Sequence, residues 1–210
     1  MKNYIIYVDG FNLYYAIKDT KYKWLDLKAL IESFSFEDCK IAKIRYFTAK
    51  VTPNERDPDV AERQNIYLRA LRTIPEIEIH FGSFKKRTAK GKLLEKGNPS
   101  HKKIVEISKF EEKGSDVNIA TFMLIDCFQK ACDVPILLSN DSDLTEPLKY
   151  IKTILKLPVG LITPVDFWVS KLHKYSSLRR KISDERLRNA QFPLKLKDDL
   201  GEFSCPKEWL

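Results

Sequence analysis

YIIYVDGFN, residues 4–12, is an apolar strand that stops on a carboxylate, Asp9, and VPILLSNDSDL, residues 134–144, repeats the pattern with Asp141 and Asp143. A third acid, Asp116, opens a helix in KGSDVNIA, residues 113–120. Carboxylates repel one another. If the two strands lie side by side in a parallel sheet, their ends converge on one edge, and the cluster is tolerable only with a cation or bound protons to offset it. Hard divalent ions such as Mg²⁺ and Mn²⁺ prefer oxygen ligands and recur where phosphate esters are cut, so the pattern predicts a metal-dependent phosphodiesterase. Taken singly, each aspartate reads as a turn former or helix cap, and Ser115 as the cap of the helix carrying Asp116. Capping does not explain why strand, Asp and small polar partner recur together, at Asp9 with Asn12 and at Asp141 with Ser139, Asn140 and Asp143. Asn12 suits a supporting role because its amide can accept from a water and donate to a carboxylate.

Outward from these strands, apolar periodicity alternates strand with helix. Strands are expected at 4–9, 40–51, 76–83, 134–139 and 158–163, and helices at 26–35, 57–73, 115–131 and 143–155. One or two further helices run to about residue 190. Such alternation implies parallel crossovers and a doubly wound, three-layer α/β/α sandwich with a Rossmann-like sheet. The functional edge of that fold is where strand C-termini meet a change in strand order.

The formal charge of +8 is unevenly placed. Between Ser83 and Ile104 the chain carries Lys85, Lys86, Arg87, Lys90, Lys92, Lys96, Lys102 and Lys103 against Glu95 alone. Gly91, Gly97, Asn98 and Pro99 make this a basic loop or hairpin, followed by the strand-like KKIVEISKF. A basic segment beside an acidic metal site is what a polyanionic substrate needs, so phosphate contact is the favoured reading. A second basic cluster, from His173 to Arg188, reads as lying on a helix. Tyr14, Tyr15, Phe81, Phe84 and Trp168 are candidates to stack on unpaired bases, although packing in the core or at its rim is preferred for all five. Of the histidines, His80 belongs to a strand, His101 to the basic segment and His173 to the last helix, so none is placed as a general base. The apolar runs fall far short of the roughly 20 residues that span a bilayer. No small-residue cleavage site follows the N-terminal strand, and Cys39, Cys127, Cys132 and Cys205 form no CxxC pair, so a cytoplasmic protein with free thiols is expected.

YVDGFNLYYAI, EKGSDVNIATFMLIDC, LLSNDSDLTEPLKYI, VGLITP and RNAQFP, in this order, closely resemble the NYN domain, the LabA-like branch of the PIN and flap-nuclease-like superfamily. The most specific pieces are V-D-G-x-N, K-G-x-D and S-x-D-x-D. The resemblance implies a divalent-metal site of Asp9, Asp116, Asp141 and Asp143, supported by Asn12 and Ser139, and ribonuclease activity in RNA processing or decay. Asn140 stands where relatives often have glycine, and LKLPVG replaces a shorter approach to the next strand; neither change removes a ligand.

The expected organisation is one NYN domain over 1–193, with a basic insertion at about 84–103 and a C-terminal tail over 194–210 that packs back or partly frays. Its partner would be RNA, single-stranded by preference, with no membrane contact and a homodimer left open. Two rivals share the fold: a non-catalytic RNA-binding module and a DNA nuclease, since nothing here reads a 2′-hydroxyl. NDSDLT also contains the D-x-D-x-T nucleophile motif of haloacid-dehalogenase-like phosphatases, but that motif normally ends the first strand and here it ends a late one.

Overall fold

The structure is a computed structural model describing residues 1–53, 55, 57–92, 104–165 and 169–210, with the backbone alone at 85, 86, 92, 108–111 and 170. Among these residues, one six-stranded sheet carries the fold. It contains β1 (Lys2–Asp9), β2 (Cys39–Thr48), β3 (Ile77–Phe81), β6 (Val134–Leu138), β7 (Gly160–Thr163) and β8 (Leu178–Lys181), while β4 (Ser83–Lys92) and β5 (Ile104–Lys113) pair separately. The sheet order is β3-β2-β1-β6-β7-β8, and all five pairings are parallel. From β1 the chain winds outward through β2 and β3, crosses back to β6, and winds outward again on the other side. The strand order therefore reverses between β1 and β6, the two strands that end at Asp9 and before Ser139.

Alternation along β1 builds two cores. Tyr4, Ile6 and Val8 face one side, where they meet Leu13 and Ile17 of α1 (Gly10–Ile17), Leu27, Leu30 and Ile31 of α2 (Leu27–Glu32), Leu68 and Leu71 of α3 (Val60–Arg72) and Leu187 of α7 (Asp184–Asn189). Ile5 and Tyr7 face the other, against Ile119, Met123 and Cys127 of α4 (Ser115–Phe128), Leu148 and Ile151 of α5 (Thr145–Thr153) and Leu172 of α6 (Ser170–Tyr175). Covering both faces explains why the central strands read as continuous apolar runs. The result is the expected three-layer α/β/α sandwich.

Several local expectations are corrected. The helix expected at 57–73 begins at Val60, and that expected at 143–155 is a 3₁₀ turn, Ser142–Leu144, followed by α5. The stretch from His173 to Arg188 is not one helix: α6, the edge strand β8 and α7 divide it. α1 was not expected at all. The basic segment is a hairpin, with β4 and β5 antiparallel from Ser83↔Lys113 to Lys92↔Ile104. The tail forms a small hairpin, β9 (Lys195–Asp198) with β10 (Gly201–Ser204), fastened to α3 by Arg69, whose Nε and Nη2 donate to Asp198 at 2.6 Å each. Among the described residues no helix is long and apolar enough to cross a membrane.

Candidate metal centre

Asp9 ends β1, 5% exposed, in extended backbone that lets it cap α1. Its Oδ1 accepts from the Asn12 N–H at 3.0 Å and its Oδ2 from the Ser139 hydroxyl at 2.9 Å. The capping reading of Asp9 is thus true of one oxygen, while the other faces the end of β6. Ser139 is fully buried, and its Oγ accepts from the Asp141 N–H at 3.0 Å, linking the two acids across the switch point. Asp141 then caps the 3₁₀ turn, its Oδ1 accepting from the Asp143 N–H at 2.9 Å. Asn12 supports the site differently from the expectation: its backbone donates to Asp9, and its amide oxygen accepts from the Asn140 N–H at 3.0 Å, tying α1 to β6.

Asp116 arrives on the first turn of α4, from the far side of the sheet. The helix starts at Gly114, whose φ of +99° is in the region that favours glycine. Ser115 is not the cap. Its N–H and hydroxyl both donate to Glu112 Oε1, at 3.1 and 2.8 Å, so the end of β5 and the start of α4 are joined one residue before the aspartate.

Asp9, Asp116 and Asp141 each offer one oxygen, and these lie within 4.8 Å of one another. Of the four predicted aspartates the structure brings these three together; Asp143 adjoins them through its bond to Asp141 and its charge. Burial, followed by the charges of Asp9, Asp141, Glu112 and Asp143, pushes the Asp116 carboxyl up to about 6. Burial also raises the Asp9 carboxyl, with the Asn12 and Ser139 hydrogen bonds opposing it. A cluster that retains a proton at mildly acid pH is under-compensated in charge, and an all-oxygen donor set of this kind fits a hard divalent cation. No histidine belongs to the group among the described residues. His80 lies on β3, stacked on Phe47 with centroids 4.9 Å apart.

Two contributors escaped the sequence reading. Glu112 was hidden because its role depends on the hairpin returning beside α4. Tyr46 was hidden because its hydroxyl meets the site through Gly10, where a Cβ would lie 2.6 Å from the Phe47 carbonyl and 2.8 Å from the Tyr46 hydroxyl. Only glycine allows β2 to approach the residue after Asp9 so closely.

The basic residues are placed less completely. Arg87 and Lys90 are exposed on β4, Lys85, Lys86 and Lys92 lie on the same strand, and Lys102 and Lys103 lie outside the described residues. The register sets Glu106 of β5 opposite Lys90. The hairpin root adjoins the site: Phe84 meets Phe11 of α1 edge-on at 5.5 Å, and Glu112 adjoins Asp116. Of the aromatic candidates, Tyr14, Tyr15 and Phe84 line one cleft, Phe81 does not, and Trp168 lies outside the described residues.

Three similarities to known proteins bear on this site. A protein named 6-hydroxy-3-succinoylpyridine 3-monooxygenase, from Pseudomonas putida (strain DSM 28022 / S16), is 30% identical over 182 residues, covering 76% of this chain and 58% of that protein. The chain thus spans little more than half the length of this curated relative. A crystal structure of a protein of unknown function from Vibrio parahaemolyticus RIMD 2210633 superposes with a TM-score of 0.57 at 15% identity, over 88% of this chain and 94% of that one. The third similarity is to the sequence profile of the NYN domain, which matches residues 3–166. That stretch holds the sheet from β1 to β7 and all three clustered aspartates, and the chain belongs to the NYN domain family.

Proposed function

We propose that this protein is a metal-dependent ribonuclease that hydrolyses phosphodiester bonds of single-stranded RNA in RNA processing or decay. The observation that carries the reading is the convergence of Asp9, Asp116 and Asp141 at the switch point of a parallel sheet, in a nuclease-type domain. Mg²⁺ or Mn²⁺ held there would supply Lewis acidity and a more acidic water. Asp9 is fixed by two hydrogen bonds and keeps its orientation when substrate arrives. Asp116, whose carboxyl is pushed up to about 6, must be ionised for the site to be complete. Asp143 and Ser139 set the direction of Asp141 and Asp9, and Asn12 keeps the ends of β1 and β6 in register. Arg87 and Lys90, with the other cations of the hairpin, attract the phosphate backbone toward the acidic edge.

The test is incubation of purified protein with end-labelled single-stranded RNA and DNA, in Mn²⁺ or in chelator. RNA cleaved in Mn²⁺ and intact in chelator supports the reading, and cleavage of DNA alone replaces it with the DNA nuclease. RNA bound and never cut makes the protein a binding module.

A second reading comes from the name of the Pseudomonas relative: oxygenation of a pyridine ring. It predicts reductant-dependent oxygen uptake on adding a hydroxypyridine, by a protein inert toward RNA. The ribonuclease reading has the broader support, because every residue of the acidic group lies within the matched NYN domain, whereas the relative extends well beyond the part that this chain matches.

A further inference from the structure

Against α1, which follows Asp9, lies a cleft of about 570 Å³, within the usual range for sites that hold a small ring compound. Its floor and walls are aromatic: Phe11 and Tyr14 from α1, Tyr46 from β2, Tyr67 from α3, Phe84 from the hairpin root and Trp209 from the C-terminal 3₁₀ turn. Gly10, which also lines it, is the residue after Asp9, so the two Cα atoms are about 3.8 Å apart. The cleft is not uniformly apolar. Arg63 Nη2 donates to both oxygens of Asp57, at 2.6 and 2.5 Å, and this pinned pair forms one wall of hydrogen-bond donors and acceptors.

We propose that this cleft holds one unstacked nucleobase of the RNA strand whose neighbouring phosphate sits at the acidic centre. The inference rests on the ribonuclease reading for the identity of the strand. Three features select this occupant. Aromatic faces take any base by stacking, and recognition of single-stranded RNA relies on splayed bases held this way. The Arg63–Asp57 pair matches the mixed polarity of a base edge. Gly10, the residue after Asp9, and Phe84, at the root of the basic hairpin, both line the cleft, so a strand that touches the acidic centre and the hairpin runs beside it. Tyr14 lines the cleft and is 41% exposed, so a base stacked on it displaces no core packing.

The test uses a labelled tetraribonucleotide of uridine and four versions with a single abasic ribose, bound by wild type, Tyr14→Ala and the cleft-filling Val60→Trp. Binding is followed by anisotropy in chelator, so it does not depend on cleavage, and far-UV circular dichroism checks that each variant is folded. In wild type, one abasic position should weaken binding roughly tenfold, the scale of one base stacked on aromatic rings. Either variant should bind the intact tetranucleotide about tenfold more weakly and lose that position's effect. Equal binding of all five probes by wild type overturns the inference, and so does a position effect that survives in both variants. Free 2-hydroxypyridine is the competing arm. If it binds wild type and neither folded variant, while the abasic series is flat, the cleft serves a free heteroaromatic molecule and the nucleobase assignment is overturned. Failure of the ribonuclease reading looks different: the abasic effect persists while RNA stays uncut in Mn²⁺.

Discussion

Asp116 is the residue at which the combined effect of burial and charge crowding can be measured. In the folded protein without metal its carboxyl titrates at about 6, against 3.8 for the ordinary group, so the folded state binds this proton more tightly than the unfolded one. The contribution of Asp116 to stability must then fall as pH rises from about 4 through 6, because ionisation is easier in the unfolded chain. Urea denaturation in chelator should show this decline in wild type and a flatter profile in Asp116→Asn, which has no such proton to lose. Identical profiles would mean that burial and the neighbouring acids do not raise the Asp116 carboxyl. The same titration predicts that metal uptake weakens as pH drops through about 6, since a ligand must shed its proton to bind. The three clustered aspartates were legible because carboxylates recurring at strand ends and at a helix start have few structural reasons to do so, whereas Asp143 only adjoins them through its bond to Asp141. Tyr46 and Glu112 were not, because their places depend on the close approach of β2 at Gly10 and on the return of β5, which no local pattern encodes.

The crossover helix α4 carries Asp116 at one end and is anchored near the other. Asp126 accepts from the Tyr7 hydroxyl at 2.7 Å and from Arg45 Nε and Nη2 at 2.8 and 2.9 Å, all in the interior. These bonds tie α4 to β1 and β2 at once. Asp126→Ala would leave a buried guanidinium without its main partner, and such a loss costs about 3–5 kcal/mol. Chemical denaturation should show a loss of that size, whereas a change below about 1 kcal/mol would mean that Arg45 is satisfied by Glu78 alone. The hairpin makes a different prediction. Replacing Lys85, Lys86, Arg87 and Lys90 by Ala should weaken RNA binding and flatten its salt dependence by roughly 0.7 in slope for each phosphate that is no longer neutralised. Affinity measured across a salt series decides it, and parallel slopes would move the RNA track to the basic residues of α6, β8 and α7. Five strands of the sheet were legible from apolar runs ending in turns. β8 was missed because LRRK is an edge strand with an alternating basic face, and α1 because its eight residues follow Asp9 without a separate start signal.

Across the whole molecule, the strand order 3-2-1-6-7-8 brings residues more than a hundred positions apart to one edge, and that edge is where a cation would act on both substrate and stability. The layered architecture was legible in the alternation of strands and helices. The packing of the C-terminal hairpin was not, since its hold on α3 runs through Arg69, which bonds Asp198 and the Gly201 carbonyl and lies over the Phe203 ring, contacts between residues more than a hundred positions apart. An ion that binds only the folded state stabilises it by about 2.7 kcal/mol at 100 times its dissociation constant. The most direct test follows melting temperature and single-stranded RNA cleavage along one Mn²⁺ titration, for wild type and Asp116→Asn. In wild type both should rise and saturate over the same concentration range; in the folded Asp116→Asn variant cleavage should be lost and the thermal shift strongly reduced. Cleavage that persists in chelator, or a variant that cleaves and responds to Mn²⁺ as wild type does, would contradict the assignment of catalysis to this acidic centre.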